Sequence, residues 1–322
     1  MRVLLTTYHQ AFLSHGGGET ELRQLADFIN DLGVRADLYG PGSRKLSFYD
    51  GVIHFSAHGG GEALLRDVKA HGTPIVLIPN FNFFEPNHSA RDVVQTHLDL
   101  ADLVILRTQI ERTLCLEHFR LAPERAVVVS ASISDAFAKP VEDDLFKSAY
   151  ALDRFVLSVG QIEEGKEQLR VIEALRGYEL PLVFIGGHRD KAYYDRCRAA
   201  ADASVRFVPY VQPSSPILRS AFQSCSAYIE LGIDYPGFSA LEAGLSGRPL
   251  VLRDHPWSRE LLGDAPNYVD RPDPAAIVEA VDAAVAGRGE GALVDAIRAR
   301  HVQPGPTEQL LTMMMDLTQK PR

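Results

Sequence analysis

At 322 residues, 46% hydrophobic and 23% charged, the chain is long enough for two ordinary domains and has the composition of a soluble globular protein. No stretch reaches the roughly 18–20 apolar residues of a membrane span, and the opening MRVLLTTYHQ turns polar too early for a signal peptide. A net charge of -9 argues against nucleic acid as the main partner and leaves membrane contact at most peripheral. The three cysteines, Cys115, Cys197 and Cys225, are scattered without a CxxC pair, which suits structural thiols in a reducing cytoplasm.

Short apolar runs at residues 3–6, 52–55, 75–78, 104–106 and 126–129 read as buried strands, rich in β-branched residues and leucine and lacking strict alternation. Between the first two, Leu22, Leu25, Ala26, Ile29 and Leu32 recur at helical spacing, with Gly33 as the C-terminal cap. Residues 132–153 contain Pro140 and the acidic cluster Glu142, Asp143, Asp144, and read as a linker. A second series of strands follows at 155–159, 182–185, 205–208, 227–230 and 250–252. The expected fold class is therefore α/β, with a first domain over 1–150 and a second over 151–305. Leu310, Leu311, Met314 and Leu317 give the last segment, 306–322, the spacing of an amphipathic helix.

Two open α/β domains in tandem place ligands beyond the carboxyl ends of their strands, in a cleft. The most informative stretch follows the 227–230 strand: Asp234-Tyr-Pro-Gly-Phe-Ser-Ala-Leu-Glu242, then Ala-Gly-Leu-Ser-Gly-Arg-Pro249. It opens a helix near Ser239, whose first amides can meet a diphosphate. Glu242, in the first turns, can accept two hydrogen bonds from a ribose diol. Asp234, on the preceding loop, can reach the hydroxyls of a sugar. Gly16-Gly17-Gly18-Glu19 is a second junction where glycine lets backbone approach a ligand. His58-Gly59-Gly60-Gly61-Glu62 reads as a loop lining the cleft; its likeness to an esterase oxyanion loop fails for want of a G-x-S-x-G elbow. Phe81, Phe83 and Phe84 have two readings: packing onto the domain's own core, or a sticky wall for an acceptor. There is no H-E-x-x-H, no paired cysteine and no Asp-x-Asp at a strand end, so no metal site is expected.

An acid and a glutamate eight residues apart, followed by Ala and then Gly-x-Pro and a strand, resemble the signature of retaining glycosyltransferases of the GT-B fold. The large E-x7-E family (glycosyltransferase family 4-like) is the one the pattern resembles most. Arg253-Asp-His-Pro-Trp-Ser-Arg-Glu-Leu-Leu-Gly-Asp264 is similar to the segment after that motif, and Ser158-Val-Gly-Gln161 with Lys166 resembles the family's Gly-Arg…Lys phosphate loop. Gly16–Glu19 resembles its N-terminal Gly-Gly-x-Glu turn. The resemblance covers nearly the whole chain and implies two Rossmann-like domains facing across a cleft (GT-B), the terminal helix packing back on the first.

The resemblance implies transfer of a glycosyl group from a nucleoside diphosphate sugar to a hydroxyl acceptor, a saccharide or lipid-linked saccharide. Anomeric configuration is retained, with no metal and no cofactor beyond the nucleotide sugar as co-substrate. It implies a place in polysaccharide, glycolipid or glycoside biosynthesis, in the cytoplasm, with at most peripheral contact at the inner face of the membrane. Donor binding falls to Gly17, Gly18, Gly160, Gln161, Lys166, Gly187, Val208, Gly237, Phe238, Ser239, Leu241 and Glu242, and the acceptor side to His58, Phe81 and Phe83. Catalysis falls to Asp234, Lys166 and Asn80, the last standing where family members tend to carry a histidine. Asp234 replaces the usual Glu, and Gln161 the usual Arg, which moves charge neutralisation at the diphosphate onto Lys166, with Arg189 or Arg253. These departures also fit an alternative: a weak or inactive partner subunit that binds nucleotide sugar without turnover.

Overall fold

Twelve short strands form two wholly parallel sheets in the computed structural model, which describes residues 1–13, 16–81, 91–141, 145–233, 235–287 and 291–319. The first sheet holds β1 (Arg2–Thr6), β2 (Arg35–Leu38), β3 (Gly51–Phe55), β4 (Ile75–Ile78), β5 (Leu103–Leu106) and β6 (Ala126–Val128), in the order β2-β1-β3-β4-β5-β6. The second holds β7 (Val156–Val159), β8 (Leu182–Ile185), β9 (Val205–Val208), β10 (Ala227–Glu230), β11 (Leu250–Arg253) and β12 (Asn267–Val269), in the order β12-β11-β10-β7-β8-β9. Read from the other edge, the second order is that of the dinucleotide-binding Rossmann sheet.

The central strands are apolar on both faces because helices cover both, and β4 and β5 are buried along their whole length. Two strands were not expected from the sequence, β2 and β12, and each lies at a sheet edge. β2 (Arg-Ala-Asp-Leu) buries only Ala36, and β12 (Asn-Tyr-Val) only Val269. An edge strand is covered less fully than a central one and can do without an apolar run, as these two do; the other two edges, β6 and β9, keep one. The helix Gly17–Asp31 turns Leu22, Leu25, Ala26 and Ile29 onto the first sheet. Gly33, at φ 75°, closes it by donating its N–H to the Asn30 carbonyl at 2.9 Å.

Two compact units result: Met1–Ser132 with Gln303–Arg322, and Ile133–Val302. The boundary differs from the expected 150/151. Phe137 and Phe146, in the stretch read as a linker, are fully buried in the core of the second unit beside Phe155 and Phe222. Pro140 and the acidic cluster mask this anchoring in the sequence. The last helix, Gly305–Gln319, belongs to the first unit, where Leu310, Leu311 and Met314 join the core formed by β1 and β3. Met314 packs close to Gly51, where an added Cβ would come within 2.5 Å of Met314 Sδ and make the methionine shift.

Candidate functional site

In an open parallel sheet, chain connections diverge at one point, and ligands bind beyond the carboxyl ends of the strands there. In the second unit this point lies between β7 and β10. Pairing of Val159 with Ile185, and of Ile185 with Val208, brings the ends of β7, β8 and β9 level. Beyond them Gly160 donates its N–H to the Ile185 carbonyl at 3.0 Å, Gly186 to Val208 at 3.1 Å, and Ile162 to Gly187 at 2.8 Å. Gly160 and Gly186 have φ of 148° and 154°, and a Cβ at Gly186 would overlap the Gly160 carbonyl. Only glycine permits this approach. Gly160, Gln161, Gly187 and Val208 thus share one edge, where Gln161 takes the side-chain amide of Gln168 on its carbonyl at 2.8 Å. The Val208 side chain is buried in the core.

On the β10 side, three segments converge on Glu230, the last residue of that strand. Its Oε1 accepts the Gly237 N–H at 3.1 Å and lies 3.7 Å from Lys166 Nζ, and its Oε2 accepts the Tyr228 hydroxyl at 2.8 Å. A backbone bond from Ile233 N–H to the Gly165 carbonyl, 3.0 Å, ties the loop after β10 to the 3-10 turn that carries Lys166. Glu230 was not singled out in the sequence. The only signal was an acid at the end of an apolar strand, a common and ambiguous feature.

The helix Phe238–Leu245 starts at Gly237, which caps its first turn with no side chain. Phe238 and Ser239 stand at this start. Leu241 is a core side chain, with its amide directed at the Gly237 carbonyl at 3.5 Å. Glu242, the fifth helical residue, is 5% exposed. Burial pushes its carboxyl from 4.5 up to about 8. The phenol of fully buried Tyr228 is pushed far up, first by burial and then by the charges of Glu230 and Glu242. A carboxyl held in this way is short of solvent and gains from a ligand that donates hydrogen bonds. Asp234 and Phe83 lie outside the described residues.

In the first unit the connections diverge between β1 and β3. Gly17 opens the helix after β1 with open space around its Cα, whereas a Cβ on Gly18 would come within 2.9 Å of the Phe55 ring. The β3 and β4 ends run on in parallel, with Ser56 N–H on the Ile78 carbonyl (2.8 Å) and Ala57 N–H on Pro79 (2.9 Å). Here the backbone is strained: Ser56 and Asn80 take φ of 82° and 52°, and Gly59 and Gly60 take 105° and 80°. Non-glycine residues rarely hold such angles, which cluster where a loop has a job beyond connection. His58 reaches across to donate its Nε2 hydrogen to the Asn80 carbonyl at 2.6 Å. The imidazole thereby stands beside Asn80, one of the residues expected to take part in catalysis. One further polar group was missed, Tyr8, whose hydroxyl is hydrogen-bonded to the buried carboxylate of Glu19, the last residue of the Gly16–Glu19 junction.

Phe81 takes the first of its two readings, packing onto the domain's own core, which corrects its assignment to the acceptor side. It is 6% exposed and stacks on Phe119, with ring centroids 5.6 Å apart and an interplanar angle of 6°. It packs into the core with β4 and β5, so it offers no wall to an acceptor. Beneath the Gly59–Gly61 loop, His54 and His97 stack at 5.6 Å, and His54 holds the Thr6 hydroxyl at 2.8 Å. Burial, then the neighbouring His97, pushes His54 down to about 3, so it stays neutral. A Cβ on Gly61 would overlap its ring. Among the described residues no helix is long and apolar enough to cross a membrane.

Residues 142–297, nearly the whole second unit, match the family described as glycosyl transferases group 1. Three solved structures are similar along the whole chain. HepE of Anabaena in complex with UDP-glucose matches with TM-score 0.78 and 14% identity, over 98% of this chain and 100% of that one. Sucrose-phosphate synthase of Thermosynechococcus elongatus gives 0.77 and 11%, over 98% and 99%. UDP-GlcNAc 2-epimerase of Methanocaldococcus jannaschii gives 0.61 and 10%, over 98% and 100%. No curated protein matches the chain by sequence. At such identities the likeness shows the fold: two Rossmann-like units of the GT-B kind.

Proposed function

We propose that this chain, whose residues 142–297 match the glycosyl transferases group 1 family, moves a glycosyl group from a nucleoside diphosphate sugar to a hydroxyl acceptor. The observation that carries this reading is Glu242. It is a buried carboxyl, raised to about 8, one helical turn beyond an uncapped helix start at the point where the second sheet's connections diverge. A ribose diol supplies two O–H donors and turns that costly carboxylate into a satisfied one. The diphosphate meets the helix-start amides of Phe238 and Ser239 and the Lys166 ammonium, whose position is set by Glu230 and Gly165. The base lies along Gly160, Gly187 and Val208. Binding of UDP-glucose by HepE, as its complex records, supports a nucleotide sugar as partner.

Transfer proceeds with retention, as the family resemblance implies, and without metal, because Lys166 and the helix-start amides meet the charge that develops on the departing diphosphate. The transition state has oxocarbenium character, and Asp234 engages the sugar. The first unit holds the acceptor, a saccharide or lipid-linked saccharide, through the strained 56–61 and 79–80 segments with His58 and Tyr8. The setting is cytoplasmic, with at most peripheral membrane contact, in polysaccharide, glycolipid or glycoside synthesis.

Incubation with a panel of UDP-, GDP- and dTDP-hexoses tests this reading. Donor-dependent release of nucleoside diphosphate in the presence of EDTA, with an anomeric proton coupling in the product equal to that of the donor, is the expected result. Tight donor binding with neither transfer nor hydrolysis favours the partner-subunit alternative, and inversion or loss of activity in EDTA contradicts the mechanism.

A further inference from the structure

The loop between β10 and the helix Phe238–Leu245 is fastened near both ends, by Ile233 N–H on Gly165 and by Gly237 N–H on Glu230. Between these anchors Tyr235 sets its ring against Trp257, centroids 5.7 Å apart and planes at 55°. Trp257 is 5% exposed, near the start of the helix Pro256–Leu262 that follows β11, and its other neighbour is the His255 ring, 4.4 Å away and near-parallel at 24°. Three rings in a row thus bridge the carboxyl ends of adjacent strands β10 and β11. They lie on the opposite side of the divergence point from Gly160, Gly187 and Val208, which belong to the β7-β8-β9 half.

A nucleoside diphosphate sugar is long, with its base at one end and its hexose at the other. With the base on the β7-β8-β9 half, and the ribose and diphosphate crossing to Glu242, Lys166 and the helix start beyond β10, the hexose continues toward the β10 and β11 side. We infer that Tyr235, Trp257 and His255 are specificity-determining positioning residues that set which hexose the donor site takes, by fixing residues 235–237, at the helix start, against the sugar. This rests on the donor reading given above. Aromatic contacts suit the task, because ring packing holds a loop in one place without consuming the hydrogen-bonding groups a sugar needs. Selectivity between epimeric hexoses turns on one hydroxyl, and a small displacement of the groups around it changes the preference.

The test compares wild type with Tyr235→Leu, Trp257→Phe and His255→Ala in calorimetric titrations. The probes are UDP, GDP and dTDP, each with two epimeric hexosyl conjugates, and circular dichroism melting confirms folding. For the diphosphate that wild type binds, each variant keeps the diphosphate Kd within about 2-fold. The affinity ratio between the two epimeric sugars shifts by about 10-fold in Tyr235→Leu, and in the same direction but less in the milder Trp257→Phe. Folded variants with an unchanged ratio overturn the inference, as does equal weakening of diphosphate and both conjugates. Absence of binding by wild type to every diphosphate overturns the donor reading itself, and this inference with it.

Discussion

The two units share an architecture but build their strand-end clusters from different material. In the second, side chains converge: Glu230 gathers Gly237, Tyr228 and Lys166, and Glu242 sits buried alongside. In the first, the backbone carries the departure, with Ser56, Gly59, Gly60 and Asn80 all at positive φ, and the bonds across the loops include His58 to Asn80, Tyr8 to Glu19 and His9 to Gly60. The difference follows the ligands proposed for each. A nucleoside diphosphate presents fixed charges and a diol, which call for defined acids and bases at defined spacing. An acceptor presents hydroxyls in varied frames, and loop conformation suits that better.

The largest effect that sharpens this contrast is in the first unit. Phe81→Ala should lower stability by about 3–5 kcal/mol, as for a stacked core phenylalanine, and denaturant unfolding measures it. A loss under 1 kcal/mol coupled to a raised acceptor KM would return Phe81 to the acceptor side. Next comes Gly186→Ala, where a Cβ runs into the Gly160 carbonyl at φ 154°. It should cost about 3 kcal/mol, and a melting temperature equal to wild type would break the account of that edge.

Acidity supplies the third. The Glu242 carboxyl is raised from 4.5 to about 8 by burial, so the folded state binds this proton more tightly than the unfolded chain does. The stability it contributes is fully present below about 4.5 and is lost as pH rises through about 8. Glu242→Gln should flatten that decline in urea titrations between pH 5 and 8.5, and an unaltered pH profile would contradict the assignment. The smallest effect is again in the first unit. Ser56→Gly relieves a φ of 82° and should add about 1 kcal/mol of stability while reducing transfer activity. A gain in both would mean the strain serves no purpose there.

What the sequence disclosed follows the same division. The eight interior strands were legible because burial on two faces forces an apolar run, and the edge strands β6 and β9 kept such a run, whereas edge strands β2 and β12 had none to show. Glu242 was legible because its spacing, helix context and family resemblance coincide. Glu230 was not, since its partners Lys166 and Gly237 lie far off in sequence or beyond a loop. The positive φ of Ser56 and Asn80 left no mark, as neither is the glycine that such angles favour. Phe137 and Phe146 were passed over for the Pro140 and acid between them, although their burial decides to which unit the segment belongs.

The central claim is that Glu242 grips the ribose of a nucleotide donor, and calorimetric titration of wild type and Glu242→Ala with the preferred nucleoside diphosphate sugar tests it most directly. Loss of two charge-assisted hydrogen bonds should weaken binding by about 100-fold, with the variant as stable as wild type or more so at pH 8. Equal affinity in the two proteins would contradict the account.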